Sequence, residues 1–188
     1  MRVLLTRVIA VASSLFGSGL RGSSTTDGTV QIVGDTYLDV IAKIDQLPEW
    51  DGDTSIRSPI ETVAGGSALN TAAQLAALLR TRRQRNQKRP FRSCILHSRV
   101  GSDLYGELVA ERIREAGVTL AGRRAGGQGV CICLSGHRDR AFVSYKGTVA
   151  DFSVQDLDLD VLLGSGEHEK RRAARTIGIQ KRLSDHWP

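Results

Sequence analysis

Asp39 is the side chain in this sequence best placed to do chemistry. It ends the run from Val30 to Asp39, in which Val30, Ile32 and Val33 form a short apolar strand closing at Gly34-Asp35. A carboxylate at the C-terminal end of a strand lies where open α/β sheets bind their ligands. An ionised Asp only accepts hydrogen bonds, so it suits polyol hydroxyls, which donate them. A solvent-facing strand residue has the same local sequence, and the residues alone leave both readings open. Gly65-Gly66 stands just before a helical stretch. Glycine permits a close backbone approach to a ligand, and a helix N-terminus offers free N–H groups, although a plain strand-to-helix turn needs no ligand. Asn70 falls in the first turn of that helix, where its amide either faces the same ligand or serves as a capping or surface group. Cys131 and Cys133 share one face of a strand. A metal site wants further ligands at matched spacing, so these thiols read as small core residues.

The elements that position these side chains follow from the hydrophobic pattern. A second extended stretch runs from Tyr37 to Ile44, Pro48, Asp51, Gly52 and Asp53 mark a turn, and Ile56 to Val63 reads as another short strand. Ser67 to Leu79 is predicted to be a helix, with Ala68, Ala72, Ala76 and Leu69, Leu75, Leu79 at helical spacing. The basic segment from Arg80 to Arg92 reads as a loop insertion, and Ser93 to Val100 as a buried strand. Asp103 to Ala116 is the clearest helix: Asp103 is its N-cap, Leu104, Leu108, Val109 and Ile113 are its apolar face, and Gly117 is its stop. Val118 to Leu120 begins the next strand. Gly129 to Leu134 and Ala141 to Tyr145 form a hairpin around Ser135-Gly136-His137-Arg138-Asp139, and Ser153 opens a last helix. Strands alternating with helices give an α/β fold with a mostly parallel sheet, and the hairpins add a small extra β-layer.

The chain has 188 residues with 40% hydrophobic and 24% charged residues, a balance that suits one globular domain. Its net charge of +6 is local. One cluster is Arg80, Arg82, Arg83, Arg85, Lys88, Arg89 and Arg92, and the other is Lys170, Arg171, Arg172, Arg175, Lys181 and Arg182. Nucleic acid is attracted by such clusters, but Phe91 is the lone aromatic beside the first, so a solvated loop and tail explain them better. Three cysteines fit a reducing compartment better than a disulfide framework. Before Asp27 the chain is Arg- and Ser-rich and free of acid. On a helical wheel Leu4, Leu5, Val8, Ile9, Val11, Ala12, Leu15 and Phe16 share one face and Arg2, Thr6, Arg7, Ser13 and Ser14 the other. That pattern resembles an organelle transit peptide. A secretory signal is the rival, interrupted by Arg7, and a mis-assigned start is the third reading.

Together these residues match a known pattern. Gly34 to Asp39, followed by Ala64-Gly65-Gly66-Ser67-Ala68-Leu69-Asn70-Thr71-Ala72, resembles the first signature of the PfkB family of carbohydrate kinases. Val100-Gly101-Ser102-Asp103-Leu104-Tyr105-Gly106, running on to Gly117-Val118, is similar to the family's Gly-x-Asp-x-x-Gly segment. Gly129-Val130, Arg140 to Gly147 and Asp151 to Leu159 resemble its next stretches. The resemblance implies a ribokinase-like α/β fold, a mostly parallel sheet flanked by helices with a small β-lid. It also implies ATP-dependent phosphoryl transfer to a sugar or nucleoside hydroxyl, with ATP and Mg2+ as cofactors. The residue matching Asp39 would bind substrate hydroxyls, and those matching Gly65, Gly66 and Asn70 would line the same site. Tyr37 to Ile44, Val118 to Leu120 and Cys131 to Leu134 would belong to the lid.

The departures are Leu79, where the family expects a small residue, Gln128, where it often has Thr, and a missing Gly-Ala-Gly-Asp motif. That motif carries the family's catalytic Asp and anion hole. Gly164-Ser165-Gly166-Glu167 is a superficial echo of it. The expectation is therefore a chain truncated after the N-terminal half of the fold, inactive alone and without catalytic, nucleotide-binding or metal-binding residues of its own. Its parts are 1–27 (transit peptide or disordered), 28–163 (partial ribokinase-like domain) and 164–188 (basic tail). A non-catalytic sugar-binding or subunit-pairing module, forming a homodimer through the lid or an exposed sheet edge, is the alternative. No apolar run is long enough to span a bilayer. The expected compartment is the cytoplasm, or a mitochondrion or plastid if the N-terminus is a transit peptide.

Overall fold

A computed structural model describes residues 9–12, 28–87, 91–136, 139–158 and 161–162. The expected basic tail, 164–188, lies outside these residues, as does most of the N-terminal segment. The described residues form two four-stranded sheets. The core sheet has the order β1-β2-β5-β6, formed by Ile9–Ala12, Thr29–Val33, Ser93–His97 and Thr119–Ala121. The second sheet has the order β4-β3-β7-β8, formed by Glu61–Gly65, Tyr37–Lys43, Val130–Ser135 and Arg140–Tyr145. Both expectations, a mostly parallel sheet with helices and an extra β-layer, correspond to what is observed. No helix among the described residues is long and apolar enough to cross a membrane.

Strand alternation sets the faces of the core sheet. Val30 and Ile32 of β2 and Cys94 and Leu96 of β5 point to one side and are buried in the main hydrophobic cluster. Helix α1 (Ser67–Gln84) covers this side with Ala68, Leu69, Ala72, Ala76 and Leu79. The alanines let its backbone come close to the sheet. Leu79, a departure from the family pattern, is buried here. Helix α2 (Leu104–Glu115) adds Val109 and Ile113, and the Asp103 carboxylate caps it by accepting from the Gly106 N–H at 2.9 Å. Gly117, at φ +70°, turns the chain out of α2 into β6.

The opposite face of the core sheet mixes Val33 and Ile95 with buried polar groups. Gln31 and His97 are fully buried there. The Gln31 amide donates through Nε2 to the Val161 carbonyl, so its Oε1 faces His97 Nε2 at 2.6 Å. His97 is therefore protonated on Nε2, and its buried Nδ1 has no hydrogen-bond partner among the described residues. Burial lowers the His97 pKa from its ordinary value, against the opposing pull of Asp158.

Several sequence expectations need correction. The stretch read as an amphipathic helix contains β1, which pairs antiparallel with β2 (Ile9 opposite Val33). The free edge of β2 offers unpaired N–H and C=O groups, and β-branched Ile9 and Val11 suit a strand. Val118 to Leu120 belongs to the core sheet, because β6 pairs parallel with β5, as a strand–helix–strand crossover demands. The strand expected from Ile56 begins only at Glu61, since Pro59 has no N–H for a ladder. Helix α1 does not stop at Leu79 but runs on through Arg80, Arg82 and Arg83. Arginine is a good helix former, and cations suit a helix C-terminus. Arg80 also donates to the Ala116 carbonyl at the end of α2. Leu104 and Leu108 lie largely outside the buried stripe of α2. The helix expected from Ser153 opens instead as a 3-10 turn, Val154–Asp156, closed by a Ser153–Asp156 capping box, and Val161 and Leu162 are helical beyond it.

Candidate functional site

The site lies where the two sheets meet. The loop Gly34–Thr36 leads from β2 into β3, and the Gly65-Gly66 turn leads from β4 into α1. Gly66 adopts φ +96°, and a Cβ there would stand 2.7 Å from the Asp35 carbonyl oxygen and 2.8 Å from Thr36 Cα. Only glycine lets the two loops touch in this way. Asp35 is buried and accepts from the Ser67 hydroxyl at 2.7 Å, which ties the first loop to the start of α1. A second tie comes from Gln128. This fully buried side chain donates to the Thr36 carbonyl at 2.9 Å and accepts from the Gly101 N–H at 2.9 Å. Its own N–H donates to the Asp103 carboxylate at 3.1 Å.

These ties fix Asp39. In the antiparallel β3–β4 pair Tyr37 lies opposite Gly65 and Asp39 opposite Val63. The Asp39 carboxylate leans over Gly65, where an added Cβ would meet its Oδ2 at 2.4 Å and Asn70 Nδ2 at 3.9 Å. Asp39, Gly65 and Asn70 thus converge, and Gly66 supports them from below. All four residues singled out in the sequence come together. Asn70 is exposed and Asp39 half-buried. Helix α1 begins at Gly66 with no side-chain cap and no acidic residue in its first turn, so its N–H groups and positive dipole end face the same place.

Electrostatics set the character of Asp39. Burial raises its pKa above the ordinary carboxylate value, and the neighbouring Asp35 carboxylate adds to that rise. Burial also raises the Tyr37 hydroxyl, followed by Asp35 and Cys131. The site offers an acceptor-only carboxylate, a donor amide and the N-terminal end of α1, the complement of a polyol edge that both donates and accepts. Sequence reasoning missed Asp35 and Gln128 as its supports. Asp35 looked like part of a turn, and Gln128 looked like a departure; nothing in the linear pattern shows that each reaches a partner far along the chain.

For a metal, the chemistry of the donors decides. Among the described residues no three His, Cys, Asp or Glu side chains come together to hold an ion. Cys131 and Cys133 share a strand face without a third ligand.

Residues 28–169 match the profile of pfkB family carbohydrate kinases. The chain belongs to this family. The match begins where the expected domain begins and continues past the expected boundary at 163. A curated relative, an ATP-dependent ribose-1-phosphate kinase from Halopiger xanaduensis, is 38% identical over 91 residues, 48% of this chain and 26% of the relative. Among solved structures, a ribokinase from Thermotoga maritima superposes with a TM-score of 0.58 at 18% identity, covering 71% of this chain and 41% of that one. The Arabidopsis thaliana ribokinase, solved with ribose and ATP, gives a TM-score of 0.50 at 24% identity, over 61% of this chain and 35% of its own. These superpositions show the fold. The chain spans well under half the length of each of these pfkB relatives.

Proposed function

We propose that this pfkB chain carries the acceptor side of an ATP-dependent sugar kinase and binds the hydroxyls of a sugar or nucleoside at Asp39, Gly65, Gly66 and Asn70. The convergence of the Asp39 carboxylate and the Asn70 amide over Gly65 carries this reading. The carboxylate accepts from vicinal hydroxyls, the amide donates to them, and the glycines leave room for the ring to approach the backbone. ATP would supply the phosphoryl group. Transfer also needs a positioned base and stabilisation of developing charge. No Gly-Ala-Gly-Asp stands in the 188 residues to supply them, so the chain by itself binds acceptor without turning over ATP. Calorimetric titration with ribose, ribose-1-phosphate and adenosine tests the binding. Heat that persists unchanged in Asp39→Ala, or sugar-dependent ATP hydrolysis by the purified chain, would overturn the respective half of the proposal.

A second reading, pairing with another copy, has its own observation. Ile132 of β7 and Val143 and Tyr145 of β8 lie on the face of the second sheet opposite Asp39 and are 41%, 63% and 63% exposed. Such a contiguous apolar face favours association. Sedimentation across a hundredfold concentration range checks it, and a monomer throughout would remove it.

A further inference from the structure

The core sheet winds outward from β2. The chain passes from β2 through α1 to β5 and through α2 to β6, and these three strands are parallel. Both helices lie on the face that buries Val30, Ile32, Cys94 and Leu96. After β8 the chain returns on the opposite face. Asp156 pairs at 2.9 Å with Arg99, just past the end of β5. Asp158 acts electrostatically on His97 of β5, and the Val161 carbonyl accepts from Gln31 in the middle of β2. This path steps from β5 to β2 and runs against the strands, as a crossover helix does. A helix begins on it: the Asp158 carboxylate accepts from the Val161 N–H at 3.0 Å, as an N-cap does, and the Asp158 carbonyl accepts from the Leu162 N–H at 2.8 Å. A right-handed crossover on the second face of a doubly wound sheet carries the chain to the other side of the first strand. The lane for a further parallel strand is therefore the outer edge of β2.

That lane is taken by β1, which pairs antiparallel with Ile9 opposite Val33 and Ala12 opposite Val30. The other pairings of the core sheet are parallel. A four-residue strand thus ends the sheet beside its most buried member, in which Thr29, Val30, Gln31 and Ile32 are all buried. Very short edge strands are one way in which sheets are protected from pairing with other chains. We propose that Ile9–Ala12 is a guard strand that holds the β2 edge closed, and that with the guard displaced this edge takes β2 of a second copy. β1 shows that the edge accepts an antiparallel neighbour, and two β2 strands related by a two-fold axis normal to the sheet are antiparallel. Such a pair joins the three parallel strands of each copy into one sheet, with Val30 and Ile32 of both copies on one face. A cut anywhere between Ala12 and Gly28 would detach the guard, so loss of the N-terminal segment would open this edge.

The full chain carrying Ala10→Pro and Val11→Pro tests the guard, because adjacent prolines remove a ladder N–H whichever of the two residues faces β2. In dilute protein the backbone amides of Thr29–Val33 are expected to exchange with deuterium about tenfold faster or more than in the unmodified chain, as local opening dictates. Those of Ser93–His97 should keep their rates, which shows that the sheet itself is intact. A synthetic peptide of residues Arg7–Ser14, added in excess, should restore the slow exchange. Equally slow exchange of Thr29–Val33 in both chains would overturn the guard. Should the prolines speed both sets of amides together, a chain cut at a protease site inserted between Arg21 and Gly28 and then diluted gives the same readout without them. Concentrating the proline variant about hundredfold should drive association beyond that of the unmodified chain in sedimentation, since an open edge pairs with other chains, and the peptide should reverse it. A variant that associates no more than the unmodified chain, or whose association the peptide leaves unchanged, would overturn the second copy as the partner of this edge.

Discussion

In the core sheet Ile32 and Leu96 are completely buried, whereas in the second sheet Phe142, Val143 and Tyr145 stand largely in solvent. Both sheets have four strands and both are rich in β-branched and apolar residues. They differ in what covers them. The core sheet has helices α1 and α2 over one face and a buried Gln31–His97 pair on the other, so its residues are locked by packing. The second sheet is held at its base by the Thr36–Gln128–Gly101 bonds and the Gly66 contact, and its outer strands have little above them. The stability of this molecule therefore resides in the first sheet, while the side chains free to meet a ligand, Asp39 among them, lie on the second.

That contrast is open to direct attack. Leu69→Ala empties a fully buried position and is expected to cost about 3 kcal/mol in chemical denaturation, whereas Val143→Ala, on the exposed strand β8, should cost under about 0.5 kcal/mol. Similar losses at the two positions would break the comparison. A somewhat smaller loss should follow Asp156→Ala. Asp156 and Arg99 pair at 2.9 Å with both side chains largely buried, and although Asp151 stays 3.7 Å from the guanidinium, losing the closer charged hydrogen bond is expected to cost about 2 kcal/mol.

On the face of the core sheet away from α1, Gln31→Leu and His97→Leu should each cost about 1–3 kcal/mol, because each strands its buried partner. The double variant should recover part of that loss, which a double-mutant cycle reads directly. His97 also gives this face a pH dependence. Its pKa is lowered by burial, so the folded state binds fewer protons than the unfolded chain, and stability is lost as pH falls below about 6.5. The Gln31→Leu, His97→Leu double variant should flatten that slope in a urea-denaturation series, and an unchanged slope would point to other groups.

Asp39 should show the opposite balance. Its raised pKa means that the fold disfavours the charged form, so its contribution to stability declines as pH rises through the folded pKa. Asp39→Asn removes that cost and is expected to leave the melting temperature unchanged or slightly higher at neutral pH, while ribose affinity drops about tenfold or more, the worth of a hydrogen bond to a charged group. In the unmodified chain, affinity should fall as pH is lowered through the Asp39 pKa, because the protonated carboxyl no longer accepts on both oxygens. A variant that loses stability and affinity together would place Asp39 with the structural residues instead.

Much of this was present in the linear order of residues. The alternation in β2 and β5, the alanine and leucine spacing of α1 and the Asp103 cap with its Gly117 stop are local patterns, set by side-chain direction along a strand or helix. Of the four residues proposed for the site, the Gly-Gly turn before a helix was legible as a short-range feature, whereas Asp39, read as a strand-end carboxylate, stands instead inside β3 opposite Val63. Pairing partners were not legible. Whether Thr119–Ala121 joins the core sheet or the second one, whether the end of α1 is loop or helix, and whether Ile9–Ala12 is a strand are settled by which edge or neighbour is available. Composition leaves that open. The roles of Asp35, Gln128 and His97 are of this second kind. Each depends on a contact with a residue many positions away, and only the folded chain brings those atoms within hydrogen-bonding distance.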